Sequence, residues 1–152
     1  MKGKIKVYLD TSVLSALFDD RNPHRQFLTQ LFFKNIETFD AYVSEVILAE
    51  IDGTRDIQLR TKLRGMAISF KLLPIDEGSR TLAGEYVKHG AIPSDYPEDA
   101  LHISIATVNS IDYLVSWNFE HIVKVKTRRI VNMVNSSLGY PDLEIVAPPE
   151  LI

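Results

Sequence analysis

Short β-forming runs alternate with amphipathic helical stretches along this chain, and that alternation restricts its fold more than any other feature. Lys4 to Leu9 is rich in β-formers and ends in Asp10-Thr11-Ser12, after which Val13, Leu14, Leu17 and Phe18 recur at helical spacing. A strand thus turns directly into a helix. Thr11 or Ser12 is expected to cap that helix through its hydroxyl, which leaves Asp10 at the carboxyl end of the strand. After a break at Asp19 to Pro23, Phe27, Leu28, Leu31, Phe32 and Ile36 mark a second amphipathic helix. A strand at Ala41 to Val43 leads to Ser44, placed to cap a helix through VILAEI.

The pattern continues in the second half. Helices are expected around Ile57 to Phe70 and Glu77 to His89, on either side of a strand at Leu72 to Ile75 that Pro74 assigns to an edge or a strand end. Asp95 and Glu98 have capping-box spacing, and they open a helix that is apolar on more than one side. Tyr113 to Ser116 reads as a strand, and Lys124 to Leu138 as a helix stopped by Gly139. Glu144 to Ala147 reads as a terminal strand. Strand–helix alternation without linker, repeat or low-complexity stretch predicts one α/β domain over residues 1–152. Its centre would be a parallel sheet of four or five short strands flanked by helices. In such sheets ligands bind beyond the carboxyl ends of the strands, where Asp10 and Asn118 both fall.

Charge and composition narrow the chemistry. With 17 basic and 20 acidic residues the net charge is −3, so bulk positive charge cannot be what holds a nucleic acid, and any polyanion must meet a local basic patch. The chain has no cysteine, which excludes a disulfide framework and every thiolate metal site. The four histidines, His24, His89, His102 and His121, show no paired metal spacing. A bound metal would have oxygen ligands, which favours Mg²⁺ or Mn²⁺ over zinc. No stretch is apolar enough to span a bilayer, and the basic start MKGKIK runs into a strand without a signal-peptide core. A cytoplasmic protein with no membrane contact is therefore expected.

Three acids stand out against this background. Asp10, Glu50 and Asp99 sit inside or at the end of the apolar stretches VYLDTSVL, VSEVILAEI and PEDALHISIA. Glu50 lies four and three positions after Val46 and Ile47 and so shares their buried face. Burying an unpaired carboxylate costs several kcal/mol or forces protonation, and a divalent cation is the simplest partner.

These pieces, in order, resemble the PIN-domain nucleases, in particular the VapC-type toxin ribonucleases. The matching pieces are the strand ending in Asp10-Thr11-Ser12, the Ser44 to Glu50 helix, the Asp99-Ala100-Leu101-His102 helix start, the strand before Ser116-Trp117-Asn118-Phe119, and the closing GYPDLEIVAPPEL. The resemblance implies a PIN-like three-layer sandwich, acids that hold Mg²⁺ or Mn²⁺, and cleavage of RNA. It also implies a homodimer and a small antitoxin partner. By position, Asp10, Glu50 and Asp99 correspond to the family's first three acids and act as the catalytic and metal-binding set. The fourth acid, often Asp, is here Asn118, which offers a neutral carbonyl oxygen but no charge and no base. Asp10 and Asp99 would hold the ion, with Glu50 acting through a water or as the base for the attacking water.

Other residues have simpler readings. Ser12 either orients a carboxylate or merely caps a helix. His102 is read as a histidine satisfied within packed helices and is left out of the catalytic set. Glu45 suits a helix first turn, and Trp117 and Phe119 are assigned to the core rather than to base stacking. Two basic segments stand out, Arg55, Arg60, Lys62 and Arg64, and Lys124, Lys126, Arg128 and Arg129. The second is the better candidate for phosphate contacts because it follows Asn118. A scaffold that binds RNA or a partner protein without cutting is the alternative function. Phosphoryl transfer through Asp10 lacks the second Asp that design uses, and no glycine-rich nucleotide-binding run is present.

Overall fold

The computed structural model describes residues 3–152; Met1 and Lys2, the first residues of the basic start, lie outside the described residues. Five short strands form one all-parallel sheet. They are β1 (Lys6–Leu9), β2 (Asp40–Ser44), β3 (Lys71–Leu73), β4 (Tyr113–Val115) and β5 (Glu144–Val146). Around them lie α1 (Thr11–Ala16), α2 (Pro23–Lys34), α3 (Glu45–Asp52), α4 (Ile57–Ala67), α5 (Glu77–Lys88), α6 (Pro97–Val108) and α7 (Val125–Leu138). This is the α/β sandwich expected, with the upper number of strands.

The strand order β3-β2-β1-β4-β5 determines where a site can form. The chain builds outward from β1 through β2 to β3, then crosses back to add β4 on the other side of β1. Tyr8 therefore pairs with Tyr42 on one side and Leu114 on the other. The strand order reverses between β1 and β4, and it is beyond the carboxyl ends of the strands at such a reversal that ligands of open α/β sheets bind. β3, with Pro74 just beyond it, is an edge strand as the proline required.

Strand β1 is the centre of the core. Val7, Tyr8 and Leu9 are fully buried, as expected for a central strand covered on both faces, and Leu14, Ile47, Ile51, Ile103, Ile105 and Leu114 pack about it. Helix α6 is buried from Ala100 through Thr107 except for Leu101, which explains its apolar residues on more than one side. Buried Tyr86 on α5 donates to Asn135 Oδ1 on α7 at 2.5 Å, tying two helices through a satisfied polar pair. Gly139, at φ 80°, adopts the left-handed conformation that ends α7, the stop its sequence position predicted.

Two caps differ from expectation. The helix after β1 is capped by Asp10, whose carboxylate accepts from the Ser12 backbone N–H, and not by Thr11 or Ser12, because both hydroxyls turn to carboxylates instead. The Asp95–Glu98 capping box does not form. Pro97 takes the first helical position, where its fixed φ and missing N–H suit it, and this moves the cap to Tyr96. Ser44 caps α3 as predicted, accepting from Val46 N–H at 3.2 Å. Glu45 does more than favour a first turn, since its Oε1 accepts from Ile75 N–H at 2.6 Å.

Candidate active site

Asp10 leaves the carboxyl end of β1, where the strand order reverses, and is 3% exposed. Its Oδ1 accepts from Ser12 Oγ at 2.5 Å and Ser12 N at 3.0 Å, and its Oδ2 accepts from Ser116 Oγ at 2.7 Å. Each serine is itself fixed by the loop after β4: Trp117 N–H donates to Ser12 Oγ and Asn118 N–H to Ser116 Oγ, both at 2.9 Å. The carboxylate is therefore held by neutral donors, and among the described residues no basic side chain bonds to it. Burial pushes its pKa up, and Glu50 adds to that, against the lowering effect of His102 and the two serines.

Glu50 reaches the same end of the sheet from the last turns of α3. Its Oε1 accepts from Thr11 Oγ1 and from His102 Nε2, each at 2.7 Å. Burial works to raise its pKa, but the His102 hydrogen bond and charge and the Thr11 hydroxyl outweigh that and hold it below the ordinary value. His102 is pushed down by burial, yet the bond to Glu50 and the charges of Glu50, Asp10 and Asp99 raise it overall. Glu50, Asp10 and Asp99 are thus all near enough to the buried imidazole for their charges to favour its protonation.

Asp99, in the first turn of α6, completes the group. Its Oδ2 accepts from His121 Nδ1 at 2.9 Å and faces Asn118 Nδ2 at 3.4 Å. Asn118 is brought to the acids but spends its own oxygen locally, accepting from His121 N–H at 2.9 Å. Lys124, Lys126 and Arg129 are exposed at the start of α7, and Arg128 is half-buried there. Among the described residues none of the four pairs with a carboxylate, and cations at a helix amino end oppose its dipole, so helix stability does not account for them. In the other basic segment, Arg64 is paired with Asp52 at 3.0 Å.

Several residues of this end escaped the sequence reading. His121 had no recognisable spacing to Asp99, and the importance of Tyr96 and Arg25 depends on contacts that only folding creates. His102 is satisfied, as expected of a buried histidine, but its partner is an acid of the site.

The residue set can be tested for a divalent cation by its donors. Oε2 of Glu50 and Oδ1 of Asp99 have no protein donor among the described residues, and Asp10 is a buried anion held only by hydroxyls and an amide. All are hard oxygens. Among the described residues no group of three or more His, Asp or Glu stands close enough to hold an ion.

The PIN domain family profile matches residues 7–118, from the start of β1 to Asn118. The chain belongs to the PIN-domain family. Nucleases of this family generally use divalent metal ions. No curated protein matches over the sequence. Solved structures share its fold at low identity. VapC20 of Mycobacterium tuberculosis, a sarcin-ricin loop cleaving toxin, is 13% identical with a TM-score of 0.61, over 76% of this chain and 92% of that one. The DNA-bound VapBC complex of Salmonella typhimurium is 14% identical with a TM-score of 0.61, over 95% and 98% of the two chains. VapBC2 of Rickettsia felis, bound to a promoter DNA fragment, is 16% identical with a TM-score of 0.58, over 94% and 98%. The PIN domain's strand order thus accounts for the place of the acids.

Proposed function

We propose that this PIN-domain protein is a Mg²⁺- or Mn²⁺-dependent endoribonuclease, the toxin of a toxin–antitoxin pair. The observation that carries the reading is the buried carboxylate of Asp10 at the carboxyl end of β1, where the strand order reverses, held by Ser12 and Ser116 and bonded to no basic side chain among the described residues. Asp10 and Asp99 would hold the cation. When bound, a divalent cation supplies Lewis-acid polarisation of a phosphate and eases deprotonation of a nearby water. Glu50, kept ionised by His102, takes the proton of the attacking water through its unengaged Oε2. The water oxygen bonds to phosphorus as the bond to the leaving ribose oxygen breaks. Ser12 keeps Asp10 aimed throughout.

The toxin assignment draws on the shared fold of VapC20 and the VapBC complexes. The VapBC complexes support a small antitoxin partner; a homodimer is what the family resemblance implies, and the proposed substrate is a cytoplasmic RNA. No helix among the described residues is long and apolar enough to cross a membrane. Lys124, Lys126, Arg128 and Arg129 are the phosphate-binding candidates. Charge reversal at Arg128 and Arg129 should weaken RNA binding and flatten its salt dependence.

Asn118 favours a second reading, a scaffold that binds RNA or a partner protein without cutting, because its oxygen is already committed to His121. Incubation with mixed cellular RNA, with and without Mn²⁺, separates the two. The nuclease reading expects metal-dependent cleavage that Asp10→Asn lowers by at least about a hundredfold. Metal binding without hydrolysis of any RNA would favour the scaffold.

A further inference from the structure

Two large aromatic rings stand exposed beside the acids. Tyr96 is 44% exposed and Phe119 49%, although each neighbours a group of the site. The Tyr96 ring lies 4.0 Å, centroid to centroid, from His121, whose Nδ1 bonds Asp99. Phe119 directly follows Asn118 and meets the buried Trp117 edge-on at 6.0 Å and 74°. The Arg25 guanidinium lies 4.9 Å from the Trp117 ring centre and 6.0 Å from that of Phe119, and among the described residues no carboxylate pairs with it.

A singly exposed ring is ordinary on a protein surface, so what sets Tyr96 and Phe119 apart is their place beside His121 and Asn118. The Arg25 guanidinium gains from the aromatic faces and, with no acid paired to it among the described residues, keeps its fork of donors open. Aromatic faces with an unpaired cation, next to carboxylates suited to a phosphodiester, match the surface that single-stranded nucleic acid requires: stacking planes for bases and a cation for the backbone. A protein partner would be expected to want a contiguous apolar patch. Here polar groups adjoin each ring, His121 beside Tyr96 and Asn118 and Arg25 beside Phe119.

We propose that Phe119 and Tyr96 are stacking positions for unpaired nucleobases adjacent to the phosphate at the acidic site, with Arg25 meeting the backbone beside Phe119. This rests on the ribonuclease reading and deepens it by naming the side chains that would hold unpaired bases, since bases in a duplex are stacked on each other and offer no free face. It also revises the core assignment for Phe119, while Trp117 remains a buried residue beneath it.

The test is binding of a mixed-sequence oligoribonucleotide of about 12 nucleotides, within the site sizes such surfaces span. An Asp10→Asn background prevents cleavage, and Trp117, the one tryptophan of the chain, reports through its emission. Binding should change that emission. Phe119→Ala and Tyr96→Ala should each weaken single-strand binding by about 5- to 100-fold, whereas Phe119→Tyr and Tyr96→Phe, which keep the ring, should restore it. Arg25→Ala should reduce the salt slope by about one unit. A hairpin with a fully paired stem and a minimal loop should bind weakly and be indifferent to the ring substitutions. Single-strand affinity unchanged in both alanine variants would overturn the proposal, as would equal losses for single strand and hairpin. Retained RNA affinity with loss of a co-expressed small partner would assign the rings to protein docking and overturn it too. Cleavage by the wild type with Mn²⁺ is scored separately. Stacking without cleavage would sink the nuclease reading and leave the base positions standing, and cleavage indifferent to the rings would do the reverse.

Discussion

Nε2 of His102 stands 2.7 Å from Oε1 of Glu50, while its Nδ1 stands 2.6 Å from the hydroxyl of Tyr8. The imidazole thus bridges the central strand and an acid of the site. The Tyr8 hydroxyl also meets Ser44 Oγ at 2.7 Å, and burial pushes its pKa well above the ordinary value, so it stays protonated. Four elements, β1, the β2–α3 junction, α3 and α6, share one buried polar chain.

Removing the hydroxyl should break that chain. Tyr8→Phe leaves His102 Nδ1 and Ser44 without their common partner in the core and should lower unfolding stability by about 1–3 kcal/mol. Urea unfolding of the metal-free protein measures it.

The Glu50–His102 pair should show itself in pH dependence. Glu50 is held below the ordinary value of 4.5, so its contribution is present above that value and is lost as pH falls through the lower folded one. His102 is raised above 6.5, so its contribution is full below that value and is lost as pH rises through the higher folded one. The stability difference between wild type and Glu50→Gln, measured in EDTA, should therefore be greatest between about pH 4.5 and 6.5 and shrink on both sides.

Asp10 has the opposite sign. Its raised folded pKa means the unfolded chain releases the proton first, so stability falls as pH rises from 3.8 through the folded value. Asp10→Asn should be more stable than wild type at pH 7 in EDTA, by on the order of 1 kcal/mol or about 2–4 °C in Tm for a chain of this size. Calorimetry should find the gain absent well below pH 3.8.

Much of this site could be read from residues. Asp10 was legible because the hydrophobic period changes from two to near four at that point, and Glu50 because it shares a stripe with Val46 and Ile47. What was hidden depends on contacts between distant segments. The local pattern offers the Thr11 hydroxyl as a cap and Ser12 as either a cap or a residue that orients a carboxylate; Ser12 takes the second role on Asp10, and Glu50 arrives from 39 positions away to take the Thr11 hydroxyl. The Asp95–Glu98 spacing was misleading because Pro97 intervenes at the first helical position. His121, Tyr96 and Arg25 carry no periodic signal, and only the return of the chain after β4 places them near Asp99 and Phe119.

Asn118→Asp should restore a fourth charge. The new carboxylate oxygen would face Asp99 Oδ2, now 3.4 Å from the amide nitrogen, so the metal-free protein should melt lower than wild type. Addition of Mn²⁺ should stabilise this variant more than wild type, because ligand binding to the native state adds to stability in proportion to affinity. Paired melts with EDTA and with millimolar Mn²⁺ give both numbers.

The central claim is that Asp10, Glu50 and Asp99 make a cation site, and the most direct measurement is Mn²⁺ binding followed by electron paramagnetic resonance. The wild-type chain is predicted to take up one well-held ion, with Asp10→Asn and Asp99→Asn each weakening it by at least about tenfold, since loss of outer partners alone costs that much in metal sites. No uptake at millimolar Mn²⁺, or equal affinity in all three proteins, would contradict it.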